Sequence, residues 1–207
     1  MTSPRICVFA PMKIEESVFR GVLAEAGVDG GAVRVVRSGI GKVNACISVA
    51  RELQAGFDIA VLFGLCGATR GFRVGQRVIP AWFRQLDADA AGWGDEAWDE
   101  TVHLDPAIHA RVSGDACGIG CSDKFVTDPE LLASVDLVDM ESYAVVKMCR
   151  KFAKPCVVVK YVSDIVGLPD GGVSHFREYI AGPFAADARD FVGLLPALRG
   201  LHLQGGA

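Results

Sequence analysis

At 207 residues, with 51% hydrophobic content and a mean hydropathy of +0.31, the chain can bury a substantial core as one domain. A net charge of −4 without a basic block argues against a nucleic-acid or anionic-membrane surface, and no apolar run reaches the roughly 18 residues of a membrane span. The seven cysteines (Cys7, Cys46, Cys66, Cys117, Cys121, Cys149 and Cys156) include no CxxC pair, and no histidine completes a ligand set with Cys117 and Cys121. They read as reduced thiols, without a metal, in a cytoplasmic protein.

The opening MTSPRICVFAPM has too short an apolar stretch for a secretory signal and reads as a first strand, Ile6–Ala10. A helix is expected over Glu15–Ala26, a strand over Ala32–Arg37, a helix over Lys42–Ala55 and a strand over Ile59–Phe63. Gln76–Trp82 reads as a strand, Asp87–Asp105 as an irregular excursion, Gly118–Ser122 as a strand and Pro129–Ser134 as a short helix. Leu137–Met140 and Val157–Val162 are strands flanking a helix over Glu141–Phe152, and a last helix covers Phe184–Leu198. This alternation implies an α/β fold, one parallel or mixed sheet with helices on both faces. No repeat or linker divides residues 1–207, and Gln204–Ala207 should fray.

The segment Val135–Gly167 places an acid just past each of two strands, Glu141 and Asp164. A crossover of its length is expected to join parallel neighbours, so that both acids emerge at one sheet edge, where open α/β sheets bind ligands. Lys147, Arg150 and Lys151 fall in the last turns of the intervening helix, where the dipole favours cations. The run RSGIGKV (37–43) resembles a phosphate loop but fails its pattern, with Val36 for the first glycine and Val43 for the closing hydroxyl. It leaves a glycine turn at Gly39 and Gly41 before a helix; a second glycine turn, GLCGA (64–68), is expected after the Ile59–Phe63 strand. Taken alone, Glu15 reads as a helix-start acid, and His103, His109, His175 and His202 as surface or loop residues.

GIGKVNA (39–45), GLCGA (64–68), SDKFVTD (122–128), VDMES (138–142) and VSD (162–164), in this order, resemble the purine and uridine phosphorylase superfamily. The opening APMKIEE is most similar to its hydrolytic branch, the methylthioadenosine/S-adenosylhomocysteine nucleosidases. The resemblance runs from about residue 5 to about 190. It implies a single three-layer αβα domain around a mixed sheet, a small-molecule nucleoside substrate, no cofactor, and a homodimer or larger homo-oligomer. By position it implies that Asp164 protonates the departing purine with Ser163 orienting it, that Glu141 holds the ribose hydroxyls beside Met140, and that Glu15 activates water with Met12 nearby. Phe125 would stack on the base, the backbone of Val126 would contact its edge, Gly67 would lie against the ligand, and Phe176 would face the ribose 5′ substituent.

These residue types suit the chemistry. Cleaving an N-glycosidic bond passes through an oxocarbenium-like sugar, which needs an acid at the base and a carboxylate plus water at the anomeric carbon. Asp164 must then hold a proton while Glu15 stays ionised. A phosphorylase must instead compensate a buried dianion, yet Leu62 and Leu65 stand where phosphorylases place an arginine and a hydroxyl. Water is therefore the expected nucleophile. Phosphorolysis, and a non-catalytic nucleoside-binding protein of the same fold, are the alternatives. Lys160 replaces an arginine usual in the family, and Tyr143 is a bulky departure that either reshapes the pocket or serves an interface.

Overall fold

The computed structural model describes residues 4–28, 30–69, 71–88, 101–126, 130, 132–166 and 172–201. The chain opens with β1 (Ile6–Ala10), α1 (Lys13–Glu25), β2 (Val33–Arg37), α2 (Lys42–Ala55) and β3 (Ile59–Ala68). It continues through β4 (Arg77–Val78), β5 (Pro80–Gln85), β6 (Val102–His103), α3 (Pro106–Arg111), β7 (Asp115–Cys121) and β8 (Leu137–Asp139). It closes with α4 (Ser142–Lys151), β9 (Cys156–Ile165), α5 (Val173–Ile180), α6 (Pro183–Asp187), a 3-10 segment over Ala188–Leu194 and α7 (Leu195–Gly200). The strands form one mixed sheet, ordered β2-β1-β3-β8-β7-β5-β6, with β9 against the other edge of β3 and β4 against β9.

Helices cover both faces of this sheet, giving three layers. The central strands β1, β3 and β9 are therefore buried on both sides and almost continuously apolar. Alternate side chains feed two cores: Cys7, Phe9 and Leu62 pack with Ala45 and Val49 of α2 and Val145 and Cys149 of α4. Ile6, Val8 and Phe63 pack on the opposite face with Phe19 and Val22 of α1 and with Phe184 and Phe191. Phe63 is the hub of that second core, its ring 4.5 Å from Phe19 and 5.8 Å from Phe184, centroid to centroid. No helix among the described residues is long and apolar enough to cross a membrane.

The structure corrects several expectations. The glycine-rich GLCGA stretch is not a turn; β3 runs straight through it to Ala68. The crossover through α4 does not join parallel neighbours. β9 pairs parallel with β3 along Ala60–Ala68, whereas β8 pairs antiparallel with it on the opposite edge, at Gly67–Val138 and Ala68–Leu137. Both strands therefore register on Gly67, and that common point, not parallel adjacency, brings Glu141 and Asp164 together.

The expected Gln76–Trp82 strand is split after Val78. Pro80 has no N–H to continue the ladder, so β4 pairs with β9 while β5 turns away to β7. The expected Phe184–Leu198 helix is broken into three pieces, with Pro183 and Pro196 in the first turns of α6 and α7. Phe152 lies past the end of α4 and is exposed rather than packed. Within Pro129–Ser134 the described residues form a turn; Pro129 and Leu131 lie outside the described residues, as do 89–100, His202 and Gln204–Ala207. The remaining histidines sit on elements: His103 on β6, His109 on α3 and His175 on α5.

Candidate active site

One edge of β3 is incomplete. β1 pairs with it only through Ile59–Leu62, and β8 joins the same edge only at Gly67–Ala68. Among the described residues, no strand neighbours 63–66 on that side. A cavity of ≈ 270 Å³ opens at this gap. Met12 and Glu15 reach it from the start of α1, and Gly67 lines it from β3. Phe125 and Val126 enter from the segment after β7, and Met140 and Glu141 from the β8–α4 link. Ser163 and Asp164 project from the end of β9 and Phe176 from α5. The structure thus brings all ten sequence-derived candidates to one cavity. Tyr143 does not line it; the side chain is buried beneath α4 in the core shared with α2, its hydroxyl accepting from Lys147 Nζ.

Glu15 answers both descriptions of a helix-start acid and a site acid. Its Oε2 accepts the Met12 N–H at 2.6 Å, closing the first turn of α1, and its Oε1 accepts the Leu65 N–H at 2.8 Å on the open edge of β3. The side chain is 2% exposed, and burial pushes its carboxyl up to about 7, against the opposing pull of the Lys160 charge and the two amides. Glu15 is therefore poised to exchange a proton near neutrality rather than firmly ionised. Gly64 makes this placement possible: a Cβ there would collide with Glu15 Oε1. The glycine was legible in the sequence, but its purpose depends on a carboxylate nearly fifty residues away.

Asp164 owes its direction to a bulge. The β3–β9 register shifts between Cys66 and Gly67, so Cys66 pairs with Val162 and Gly67 with Asp164, leaving Ser163 as the extra residue. Ser163 Oγ then lies 2.6 Å from Asp164 Oδ1 and 3.1 Å from the Cys66 carbonyl. Two glycines flank the carboxyl. A Cβ on Gly67 would sit 3.0 Å from Asp164 Oδ2, as would one on Gly172, whose φ of +82° also disfavours any side chain.

Glu141 accepts the Gly41 N–H through Oε1 at 2.8 Å, and burial pushes its carboxyl up to about 7. Asp139 lines the cavity and Lys160 lies buried behind it; sequence reasoning gave neither a role, although it marked Lys160 as standing where the family usually has arginine. Lys160 is fully buried, with Nζ 2.8 Å from Asp139 Oδ2 in an ion pair without hydrogen-bond alignment, and 4.0 Å from Glu141 Oε2. Burial alone would lower its ammonium; the carboxylates of Asp139, Glu141 and Glu15 outweigh that and hold it above its ordinary value. Asp139 also accepts the Ser142 N–H and hydroxyl, starting α4. A lone lysine in an apolar strand was the available signal. The cavity is thus walled by the carboxyl groups of Glu15, Asp139, Glu141 and Asp164 around one buried ammonium.

Residues 10–190 match the family model described as the Phosphorylase superfamily. The chain belongs to the phosphorylase superfamily. Among its members, the chain is 33% identical over 198 residues to a 5′-methylthioadenosine/S-adenosylhomocysteine nucleosidase of Actinobacillus succinogenes, covering 84% of each chain. It is 34% identical to the nucleosidase of the same name from Lysinibacillus sphaericus, covering 67% of this chain and 71% of that one. Superfamily structures share the fold. The Colwellia psychrerythraea nucleosidase in complex with adenine aligns with a TM-score of 0.80 at 23% identity over 96% of each chain. The futalosine hydrolase of Helicobacter pylori gives 0.79 at 19%, over 95% of this chain and 97% of that one.

Gly64→Ala should displace the Glu15 carboxylate while β3 stays folded; we expect roughly a hundredfold or greater loss of kcat with an unchanged circular dichroism spectrum. Wild-type activity in that variant would refute the placement. Glu15 and Glu141 also tie stability to pH, because burial raises both in the folded chain from an ordinary 4.5 to about 7. Their stability is fully present below 4.5 and is lost as pH rises through about 7. The ligand-free melting temperature should fall between pH 5 and pH 8, and Glu141→Gln, which still accepts from Gly41, should lessen that fall. A pH-independent difference between wild type and variant would contradict it.

Proposed function

We propose that the protein is an N-ribosyl hydrolase that cleaves an adenine nucleoside carrying a 5′ modification into free base and sugar. The observation that carries this reading is the buried Glu15 carboxylate, held by two backbone amides in the same cavity as Asp164 and Glu141. In the proposed cycle Asp164 donates its proton to the purine as the glycosidic bond breaks. Ser163 supports this role by orientation: its hydroxyl donates to Asp164 Oδ1 and so fixes the carboxyl at the end of β9. Glu141 holds the ribose hydroxyls beside Met140, and Glu15 takes a proton from the attacking water. Phe125 stacks on the base, Val126 meets its edge, and Met12, Gly67 and Phe176 close the cavity around the sugar and its 5′ group.

The charge balance favours water over phosphate. Four carboxyl groups around one buried lysine stabilise a cationic sugar and repel a dianion. The amides that begin α2, where an anion would otherwise bind, are already taken by Glu141 and Asp123. Among the described lining residues the only cation is Lys124. The apolar Pro11, Met12, Ile40 and Phe176 suit an uncharged thioalkyl group at the 5′ position.

We further propose that residues 1–207 act as one domain, in a homo-oligomer and in the cytoplasm. The seven free thiols suit a reducing compartment. Ile40, Val43 and Ile47 form an exposed apolar stripe at and along α2, which suits a second copy. Sedimentation at micromolar concentration should show a dimer or larger species; a monomer would refute that assembly.

The decisive assay offers methylthioadenosine, S-adenosylhomocysteine, futalosine and adenosine, each with and without phosphate, and quantifies the released base. We expect adenine release from the first two without phosphate, with kcat/KM rising through pH about 7 as Glu15 ionises. Asp164→Asn and Glu15→Gln should each lower kcat by roughly 10²–10⁴. Strict dependence on phosphate, with ribose 1-phosphate as product, would overturn the reading.

A further inference from the structure

The Gly41-Lys42 pair, which fails as a phosphate loop, has a different use. The Lys42 N–H donates to Asp123 Oδ1 at 2.9 Å, and Lys42 Nζ lies 3.1 Å from Asp123 Oδ2. The same ammonium is 2.8 Å from both oxygens of Asp87, and Asp87 Oδ2 in turn accepts the Asp123 N–H at 2.7 Å. These contacts form a closed ring joining three segments: the start of α2, the chain after β5, and the segment after β7. The next residues of that last segment are Lys124, Phe125 and Val126. Phe125 is 51% exposed, and among the described residues its ring meets that of Phe176, edge-on with centroids 6.5 Å apart. Apolar packing therefore does little to hold it.

The Lys42 side chain is 13% exposed and that of Asp87 23%, while Asp123 is 44% exposed, so the ring is half-buried around its ammonium. Burial alone would lower the ammonium, and the hydrogen bonds it donates to Asp87 and Asp123 outweigh that, so the lysine stays charged. Gly41, with φ of +90°, lies so close that a Cβ would sit 3.1 Å from Asp123 Oδ1.

We propose that Lys42 is a positioning residue for base binding: with Asp87 and Asp123 it clamps the segment carrying Phe125 and Val126 against the cavity. The proposal rests on the reading of that cavity as a nucleoside site. Lys42 touches neither sugar nor base in this account; it sets where Phe125 stands.

A double-mutant cycle on the full chain tests it, with Lys42→Met, Phe125→Ala and both together. The readouts are the adenine dissociation constant by calorimetry, and KM and kcat for methylthioadenosine. Lys42→Met should weaken adenine binding and raise KM by about tenfold while kcat stays within about threefold, and Lys42→Arg should recover most of the loss. In the Phe125→Ala background the same change should cost clearly less, about threefold or under, the part that remains being the contact of Val126. Equal losses with and without Phe125, or no loss in Lys42→Met, would overturn the clamp. Should Lys42→Met fail to fold, Asp87→Asn takes its place in the cycle with the same two outcomes. Adenine affinity does not depend on the nucleophile, so a phosphate-dependent reaction would leave this result readable. A wild-type protein that does not bind adenine would remove the nucleoside reading and the clamp with it.

Discussion

The site depends on an unfilled length of strand edge. Between Leu62, the last partner of β1, and Gly67, the first partner of β8, one edge of β3 offers backbone groups that no strand among the described residues takes. A buried N–H left without an acceptor is costly, and the Leu65 N–H finds one in Glu15. That single bond draws the start of α1 over the gap, and Gly64 leaves it room. The notch that remains is the cavity. Asp164 enters it from β9 through a bulge on the other edge of the same strand, and Glu141 follows β8 as it runs back along β3.

Gathering these carboxyls has an energetic consequence. Glu15 and Glu141 are both more easily protonated than ordinary glutamates because burial penalises their charge, and Lys160 relieves only part of that penalty. A ligand-free protein near neutrality therefore carries electrostatic strain that a developing positive charge on a sugar would relieve. Stability and activity pull in opposite directions here, as they do wherever a site is preorganised for a charge that exists only in the transition state.

Much of this was legible from residues alone, for physical reasons. Apolar runs at strand length marked β1, β3 and β9, and the helical periodicity of Lys42–Ala55 gave α2 to the residue. Motif order picked out ten residues, and all ten line the one cavity. Pairing was not legible: nothing in Val135–Gly167 indicates that β8 opposes β3 while β9 accompanies it. The glycines of GLCGA read equally well as a turn, because their purpose is set by Glu15 and Asp164 approaching from elsewhere. Asp139 and Lys160 gained a role only as a pair, and α3 was overlooked although Asp105 and Pro106 form an ordinary helix start, the aspartate accepting from Ala107 and Ile108.

If Glu15 has the proposed role, water and not phosphate attacks the anomeric carbon. Running the reaction in ¹⁸O-water with phosphate present, then trapping the sugar by reduction before mass spectrometry, tests this most directly. We expect ¹⁸O at C1 of the released sugar and no sugar phosphate. Unlabelled ribose 1-phosphate as the product would contradict it.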